Sequence, residues 1–193
     1  VKKLAYAALW KPDAYARERN EFRAEVLANK QTRRVHPGAH LTLLFEDRLT
    51  VQYQIQEMLR VERIFEAGAI AEELATYNPL IPDGANLKAT LLIEYADVEE
   101  RKRELQRLRV IEHAITLEVA GEPAVTAIAD EDLERSNDSK TSAVHFLRFE
   151  LSAAMIAKLE SGAALRFACT HPHYEASVSV DERTREALIA DLD

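Results

Sequence analysis

The sequence predicts an α+β or α/β fold, organised as a single domain with a mixed sheet flanked by helices. Segments with helical periodicity alternate with short apolar, strand-like segments along the whole chain. No change in composition marks a linker, and 193 residues suit one domain. We therefore assign residues 1–193 to one domain.

Helices are predicted where apolar residues recur on one face and a capping residue comes first. Pro12 suits a first helical turn, Asp97 with Glu100 resembles a capping box, and Ser152 and Asp181 are typical N-caps. The predicted helices span residues 12–32, 50–64, 68–77, 98–109, 152–161 and 181–189.

Strands are predicted where short runs of apolar residues are bounded by turn residues. These runs span residues 39–46, 87–95, 114–120, 124–128, 144–151, 164–170 and 174–180. Between them, residues 130–142 contain only one large apolar residue, Leu133, so this segment cannot bury itself. We expect it to be a mobile loop.

Charge is distributed unevenly along the chain. Residues 1–34 carry nine Lys or Arg and four Asp or Glu, so this basic N-terminal helical segment has a net charge of +5 and the remaining residues carry −13. A largely acidic body argues against nucleic-acid binding. The basic segment is either a solvated helix or a surface that docks on an acidic partner or on the body itself.

No apolar run approaches the ~20 residues that a membrane span requires, and no signal-peptide pattern opens the chain. We therefore expect a cytoplasmic protein without a membrane partner. Whether it forms a homo-oligomer stays open.

One short pattern occurs twice. Residues 42–46 (TLLFE) and 90–94 (TLLIE) both place a threonine and a glutamate on the same face of a strand. If the two strands are parallel neighbours, Glu46 and Glu94 lie about 5 Å apart at one sheet edge, where they could share a proton or hold a cation. The alternative is two independent glutamates that face solvent or pair with arginines.

Two histidines are candidate metal ligands of lower weight. His145 and His171 each alternate with apolar residues on a strand, which indicates buried and hydrogen-bonded side chains as the alternative. The single cysteine, Cys169, lies inside an apolar strand, where a thiol tends to be inert. One cysteine cannot by itself ligate an iron–sulfur cluster.

One helix face is a candidate binding surface for a small polar ligand. Tyr53, Gln56, Glu57 and Arg60 recur at spacings of three and four, and together they offer directional hydrogen bonds and one bidentate fork. The alternative is an exposed face that carries a Glu57–Arg60 pair.

Four segments resemble an uncharacterised bacterial family of proteins of unknown function: residues 41–60 (LTLLFEDRLTVQYQIQEMLR), 76–82 (TYNPLIP), 87–95 (LKATLLIEY) and 143–151 (AVHFLRFEL). The resemblance covers most of the chain, and the stretch ending in QIQEMLR is distinctive. The family supplies no catalytic residues. The resemblance implies a context, since such proteins are often encoded beside rubrerythrin-like di-iron proteins and heterodisulfide-reductase-like iron–sulfur proteins.

Three functions are compatible with these observations. The first is an accessory or binding protein of a bacterial redox or peroxide-response iron system, whose rubrerythrin-like or iron–sulfur partners carry the metals. The second is a metal-dependent enzyme that uses Glu46, Glu94 and Glu57 to hold Fe, Mn or Zn. The third is a small-ligand sensor over whose pocket residues 130–142 close. The sequence contains no complete catalytic motif, so whether the protein is an enzyme stays open.

Overall fold

The computed structural model describes residues 2–192 and has an α+β, single-domain fold. The α-helices are α1 (Pro12–Gln31), α2 (Arg48–Val61), α3 (Ala67–Tyr77), α4 (Val98–Arg107), α5 (Ala153–Glu160) and α6 (Glu182–Ile189). Short 3-10 helices span Tyr6–Ala8, Asn78–Leu80 and Ile111–Ala114. No helix of the described chain is both long enough and apolar enough to cross a membrane.

The strands form two sheets. They are β1 (Arg34–Val35), β2 (Leu41–Phe45), β3 (Asn86–Ile93), β4 (Ile115–Val119), β5 (Val125–Thr126), β6 (Ile128–Ala129), β7 (Val144–Glu150), β8 (Leu165–His171) and β9 (Tyr174–Ser179). The first sheet has the order β1-β2-β3-β7-β6, and the second has the order β5-β4-β8-β9.

The α+β class is confirmed, but the expected mixed sheet is replaced by two antiparallel ones. Every pair of named strands within residues 2–192 is antiparallel. The predicted strand at 124–128 divides at Ala127, so that β5 joins the second sheet and β6 joins the first. The two-residue strand β1 follows directly from α1 and was not predicted.

The main core lies between the two sheets. Phe45 and Phe149 of the first sheet meet Phe167 of the second, with ring centroids 5.1 and 5.4 Å from that of Phe167. Strand alternation explains this arrangement, since successive side chains of β3 and β7 alternate between buried and more exposed positions. A second apolar cluster joins α2 and α3, and a third joins α1 and α2.

Helix capping explains where several helices begin. The side chain of Asp47 accepts a hydrogen bond from the Thr50 amide at 2.7 Å, and Thr50 Oγ1 accepts one from the Asp47 amide at 2.9 Å. This reciprocal pair starts α2 two residues before the predicted position. The predicted caps at Asp97, Ser152 and Asp181 are each confirmed by a side-chain hydrogen bond.

Helix α1, in the basic N-terminal segment, packs against the body of the protein. Phe22 on α1 contacts Tyr53 on α2, with ring centroids 5.8 Å apart. After α1, the buried guanidinium of Arg33 forms a bidentate pair with Asp191 at 2.5 and 3.1 Å, and its Nε lies 2.8 Å from Asp47 without hydrogen-bond alignment. The first residues after α1 are therefore tied to the C-terminal end of the described chain.

Candidate functional site

Antiparallel pairing places Glu46 and Glu94 at opposite ends of the β2–β3 pair. The Glu46 amide bonds to Lys88, whereas the Glu94 amide bonds to His40. Six residues separate positions 40 and 46, which corresponds to about 20 Å along a strand. The predicted carboxylate pair at one sheet edge is therefore wrong, because it required parallel strands.

Glu57 does not join either of these glutamates in a shared centre. Its carboxylate accepts hydrogen bonds from Tyr15 at 2.6 Å, from Arg19 at 2.7 and 2.9 Å, and from Arg60 at 3.0 and 3.3 Å. Hydrogen bonds from Arg19 are the main reason that the pKa of Glu57 lies well below its ordinary value. Glu57 thus fastens α1 to α2.

The proposed polar face on α2 is divided between packing and a cavity. Tyr53 packs against α1, and Gln56 is buried, where its Oε1 accepts the Trp10 amide at 2.6 Å. Gln56 and Arg60 line a cavity between the N-terminal segment and α2.

The two candidate histidines lie in different sheets and do not share a site. His145 is on β7 and His171 ends β8. The ring of His171 lies 3.0 Å from the Arg109 carbonyl and accepts the His173 amide at 3.2 Å, so both of its nitrogens have protein partners. Cys169 is buried, and burial raises the pKa of its thiol, as suits an inert side chain.

His145 instead belongs to a buried polar cluster that the sequence analysis did not predict. We define the His145 cluster as Glu112, Asp130, Thr141 and His145. The imidazole has no solvent exposure. Its Nδ1 lies 2.6 Å from Asp130 Oδ2, and its Nε2 lies 2.8 Å from Thr141 Oγ1 and 3.7 Å from Glu112 Oε2.

Each member is brought to this point by a different element. His145 is the second residue of β7 and points into the protein. Asp130 follows β6 in the left-handed region (φ 50°), where its own amide and its side chain both bond to the backbone of Phe146. Glu112 lies on the 3-10 helix Ile111–Ala114, and the Thr141 amide bonds to the Leu105 carbonyl.

Residues 130–142 contain no helix or strand, as predicted, but several of their side chains have fixed partners. Ser136 donates a hydrogen bond to Glu112 and lies 2.8 Å from Thr141. Arg135 contacts Asp130 at 3.2 Å and stacks 4.6 Å above the ring of Phe146. Hydrogen bonds from Arg135 also lower the pKa of Asp132 to about 2. Mobility of this segment stays a prediction.

Three oxygen atoms surround Nε2 of the imidazole. A carboxylate can only accept, so Nδ1 carries the hydrogen that binds Asp130. The Ser142 carbonyl, another pure acceptor, lies 3.1 Å from Nε2. The Glu112 carboxylate and the Thr141 hydroxyl are the other nearby oxygens. Nε2 therefore faces one carbonyl, one carboxylate and one hydroxyl oxygen.

The His145 cluster also brings three potential ligand atoms close together. His145 Nε2, Glu112 Oε2 and Thr141 Oγ1 form a triangle with sides of 3.7, 2.8 and 3.3 Å. A point about 2.1 Å from all three corners exists just off the plane of this triangle, and that length is typical of bonds from Zn²⁺ to nitrogen and oxygen. Asp130 then occupies the place of the carboxylate that commonly orients a metal-bound histidine.

Sequence reasoning found His145 but not its partners. Glu112, Asp130 and Thr141 come from segments that are not strands, and their convergence depends on how these segments cross the end of β7. The sequence offers one signal for this cluster, the lack of large apolar residues around Asp130. By itself that lack predicts a mobile loop and does not indicate a polar cluster.

Fold and site together define a small α+β protein with one buried imidazole–carboxylate cluster. The chain belongs to the family described as "Protein of unknown function (DUF3501)", whose model matches residues 3–192. This confirms the predicted resemblance to a family of unknown function. No curated protein matches the chain.

The chain is similar over its whole length to a protein of known structure. The crystal structure of a novel protein of unknown function from Burkholderia pseudomallei K96243 is 50% identical, covers 100% of both chains and superposes with a TM-score of 0.93.

Proposed function

We propose that the protein binds a divalent transition-metal ion at the His145 cluster. The observation that carries this proposal is the common point about 2.1 Å from an imidazole nitrogen, a carboxylate oxygen and a hydroxyl oxygen. Imidazole together with carboxylate suits Fe²⁺, Mn²⁺ and Zn²⁺. Glu112 and His145 supply the principal bonds, Thr141 completes the face, and Asp130 orients the ring.

Electrostatics support a dication at this position. Glu112 and Asp130 are both removed from solvent at the cluster, and buried carboxylates are unfavourable unless an opposite charge is near. Of these two carboxylates, Arg135 contacts that of Asp130. A dication bound by Glu112 and His145 compensates the charge of the Glu112 carboxylate. It takes the place of the hydrogen atoms that lie between His145 Nε2, Thr141 Oγ1 and Glu112 Oε2.

An open cavity lies beside the cluster. Ser136 bonds to both Glu112 and Thr141 and also lines an open cavity of about 450 Å³. His171 and His173 line the same cavity. Ser136 therefore connects this cavity to Glu112, and we propose the cavity as the side from which an ion reaches the cluster.

The finer part of the proposal is a role as an accessory protein of a bacterial redox or peroxide-response iron system, with rubrerythrin-like or iron–sulfur proteins as partners. The family resemblance supports this context, and a buried ion without a complete catalytic motif suits storage or transfer of metal. Co-purification with a rubrerythrin-like partner, measured with and without Fe²⁺, tests it. Equal failure to associate under both conditions contradicts the accessory role and leaves the metal site standing.

Metal binding itself is tested by titrating metal-free protein with Zn²⁺, Mn²⁺ and, under anaerobic conditions, Fe²⁺. We expect one equivalent of at least one ion to bind and to raise the melting temperature, because a ligand that binds only the folded state stabilises it by mass action. Glu112→Gln preserves the size of the side chain and is expected to weaken binding at least tenfold.

His113→Gln is the matched control, since His113 is the exposed neighbour of Glu112. It should bind metal as the unmodified protein does. Absence of stoichiometric binding for all three ions, or equal binding by the Glu112 and His113 variants, contradicts the proposal. Circular dichroism of each variant confirms that the fold is retained.

A further inference from the structure

A second candidate site, which shares no residue with the His145 cluster, lies between the N-terminal segment and the first helices. A cavity of about 290 Å³ opens there, and most of its wall is apolar. Its aromatic lining includes Trp10, Tyr15 and the exposed rings of Tyr6 and Phe65. A concave, largely apolar cavity with a few polar groups is the usual form of a small-molecule site.

One polar group inside this cavity lacks a protein partner. Gln56 lines the cavity, and only 2% of its surface is exposed. Its Oε1 accepts the Trp10 amide at 2.6 Å, which fixes the orientation of the side-chain amide and leaves Nε2 as a donor. Among residues 2–192, Nε2 has no hydrogen-bond partner. Nε2 is not fully enclosed by protein, so it is a donor open to the cavity that a ligand with an acceptor can bind.

The charged residues that line the cavity indicate which acceptor group a ligand would carry. Two charged side chains, Lys11 and Arg60, line the cavity, and both are cationic. Arg60 donates to Glu57 through Nε and Nη2, so its Nη1 does not take part in that ion pair. Lys11 is exposed near the rim, at the residue before α1.

We propose that this cavity binds a small amphipathic carboxylate, whose apolar body lies against the aromatic wall and whose carboxylate accepts hydrogen bonds from Gln56 Nε2 with Arg60 or Lys11 nearby. This site is independent of the metal proposal. The cavity includes part of the predicted ligand face on α2. Gln56 and Arg60 of that face line the cavity, whereas Tyr53 and Glu57 bind α1.

The natural reporter is Trp10, since it lines the cavity and the chain has only one tryptophan. We would titrate the full-length protein with 4-phenylbutyrate and with the uncharged 4-phenylbutanol. The acid should change Trp10 fluorescence saturably, with a dissociation constant of about 1 mM or tighter for a ligand of this size. The alcohol should bind at least fivefold more weakly.

Two variants test the assigned positions. Gln56→Glu keeps an oxygen for the Trp10 amide and replaces the Nε2 donor by a charged acceptor, so binding of the acid should fall at least tenfold. Ala16→Phe places a ring at the exposed mouth of the cavity and should block both probes. Ala24→Phe, on an exposed part of α1 away from the cavity, is the matched control and should bind as the unmodified protein does.

The remaining outcomes overturn the proposal. No saturable fluorescence change with the acid shows that the cavity is not a ligand site of this kind. Equal affinity for acid and alcohol contradicts the role of Gln56 and the cationic rim. Unchanged binding in Ala16→Phe places the probe elsewhere, and this variant keeps the test valid if Gln56→Glu fails to fold.

Discussion

The hydroxyl of Thr42 donates a hydrogen bond to the carboxylate of Glu94 at 2.5 Å across the β2–β3 pair. The reciprocal bond runs from Thr90 to Glu46 at 3.3 Å. Because Thr42 is opposite Leu92 and Thr90 is opposite Leu44, each glutamate lies diagonally from its threonine. The repeated sequence pattern is therefore a pair of cross-strand contacts in two antiparallel strands.

This relationship predicts a measurable coupling between Thr42 and Glu94. Thr42→Val removes the donor and is expected to lower the free energy of unfolding by about 0.5–1.5 kcal/mol. After Glu94→Gln the same change should cost less, which urea unfolding of the four proteins in a double-mutant cycle measures. Thr126→Val, on an exposed part of β5, is the control. Strictly additive effects would show that the bond contributes nothing.

Arg33 is expected to be the most sensitive charged residue of the N-terminal region. Its guanidinium is buried against Asp191 and Asp47, so Arg33→Ala leaves two buried carboxylates without their cation. Such a change typically costs about 3–5 kcal/mol. The neighbouring Arg34→Ala is exposed and should change stability by less than about 0.5 kcal/mol. Similar denaturation midpoints for the two variants would contradict this account of the pair.

Gly38 is required by a close approach of two segments. It has φ +81°, and an added Cβ would collide with the hydroxyl of Tyr174, which itself donates to the Pro37 carbonyl and accepts the His40 amide. Gly38→Ala should therefore destabilise the protein by more than about 1 kcal/mol.

The control is Gly68→Ala near the start of α3, where an added methyl group meets no neighbour. That change should be neutral or stabilise by up to about 1 kcal/mol. Thermal unfolding of both variants decides the point, and a Gly38 variant as stable as the Gly68 variant would be inconsistent with the close contact.

The contribution of Glu57 should depend on pH. The pKa of this carboxyl is lowered in the folded protein by Arg19, so its stabilising effect is present above the unfolded-chain pKa of about 4.3 and is lost as pH falls below it. Glu57→Gln should cost about 1–3 kcal/mol at pH 7 and clearly less at pH 3.5.

Urea unfolding at both pH values measures this difference. Glu62→Gln, an exposed neighbour at the end of α2, should show little change at either pH. A penalty for Glu57→Gln that is the same at pH 7 and pH 3.5 would mean that its charge does not stabilise the α1–α2 contact.

Much of the fold could be predicted because its signals are local. The capping residues and the apolar periodicity identified the six α-helices of residues 2–192 and most strands within a few residues. Strand pairing could not be predicted, because the connection between β2 and β3 contains two helices and resembles a parallel crossover. The chain instead returns antiparallel, and that single difference separates Glu46 from Glu94.

The site was less accessible to sequence reasoning than the fold. His145 was recognised from its position on a strand, but Glu112 and Asp130 are ordinary acidic residues in irregular segments. What joins them is the left-handed turn at Asp130 and the 3-10 helix that carries Glu112. Neither feature has a periodic signature, so only the folded structure brings the three side chains together.

The most direct test of the proposed metal site is anomalous X-ray diffraction from crystals of the protein grown with Zn²⁺, measured above and below the zinc absorption edge. The proposal predicts one anomalous peak within bonding distance, about 2.1 Å, of both His145 Nε2 and the Glu112 carboxylate. A His145 cluster without anomalous density, in crystals whose only zinc is on surface residues, would contradict it.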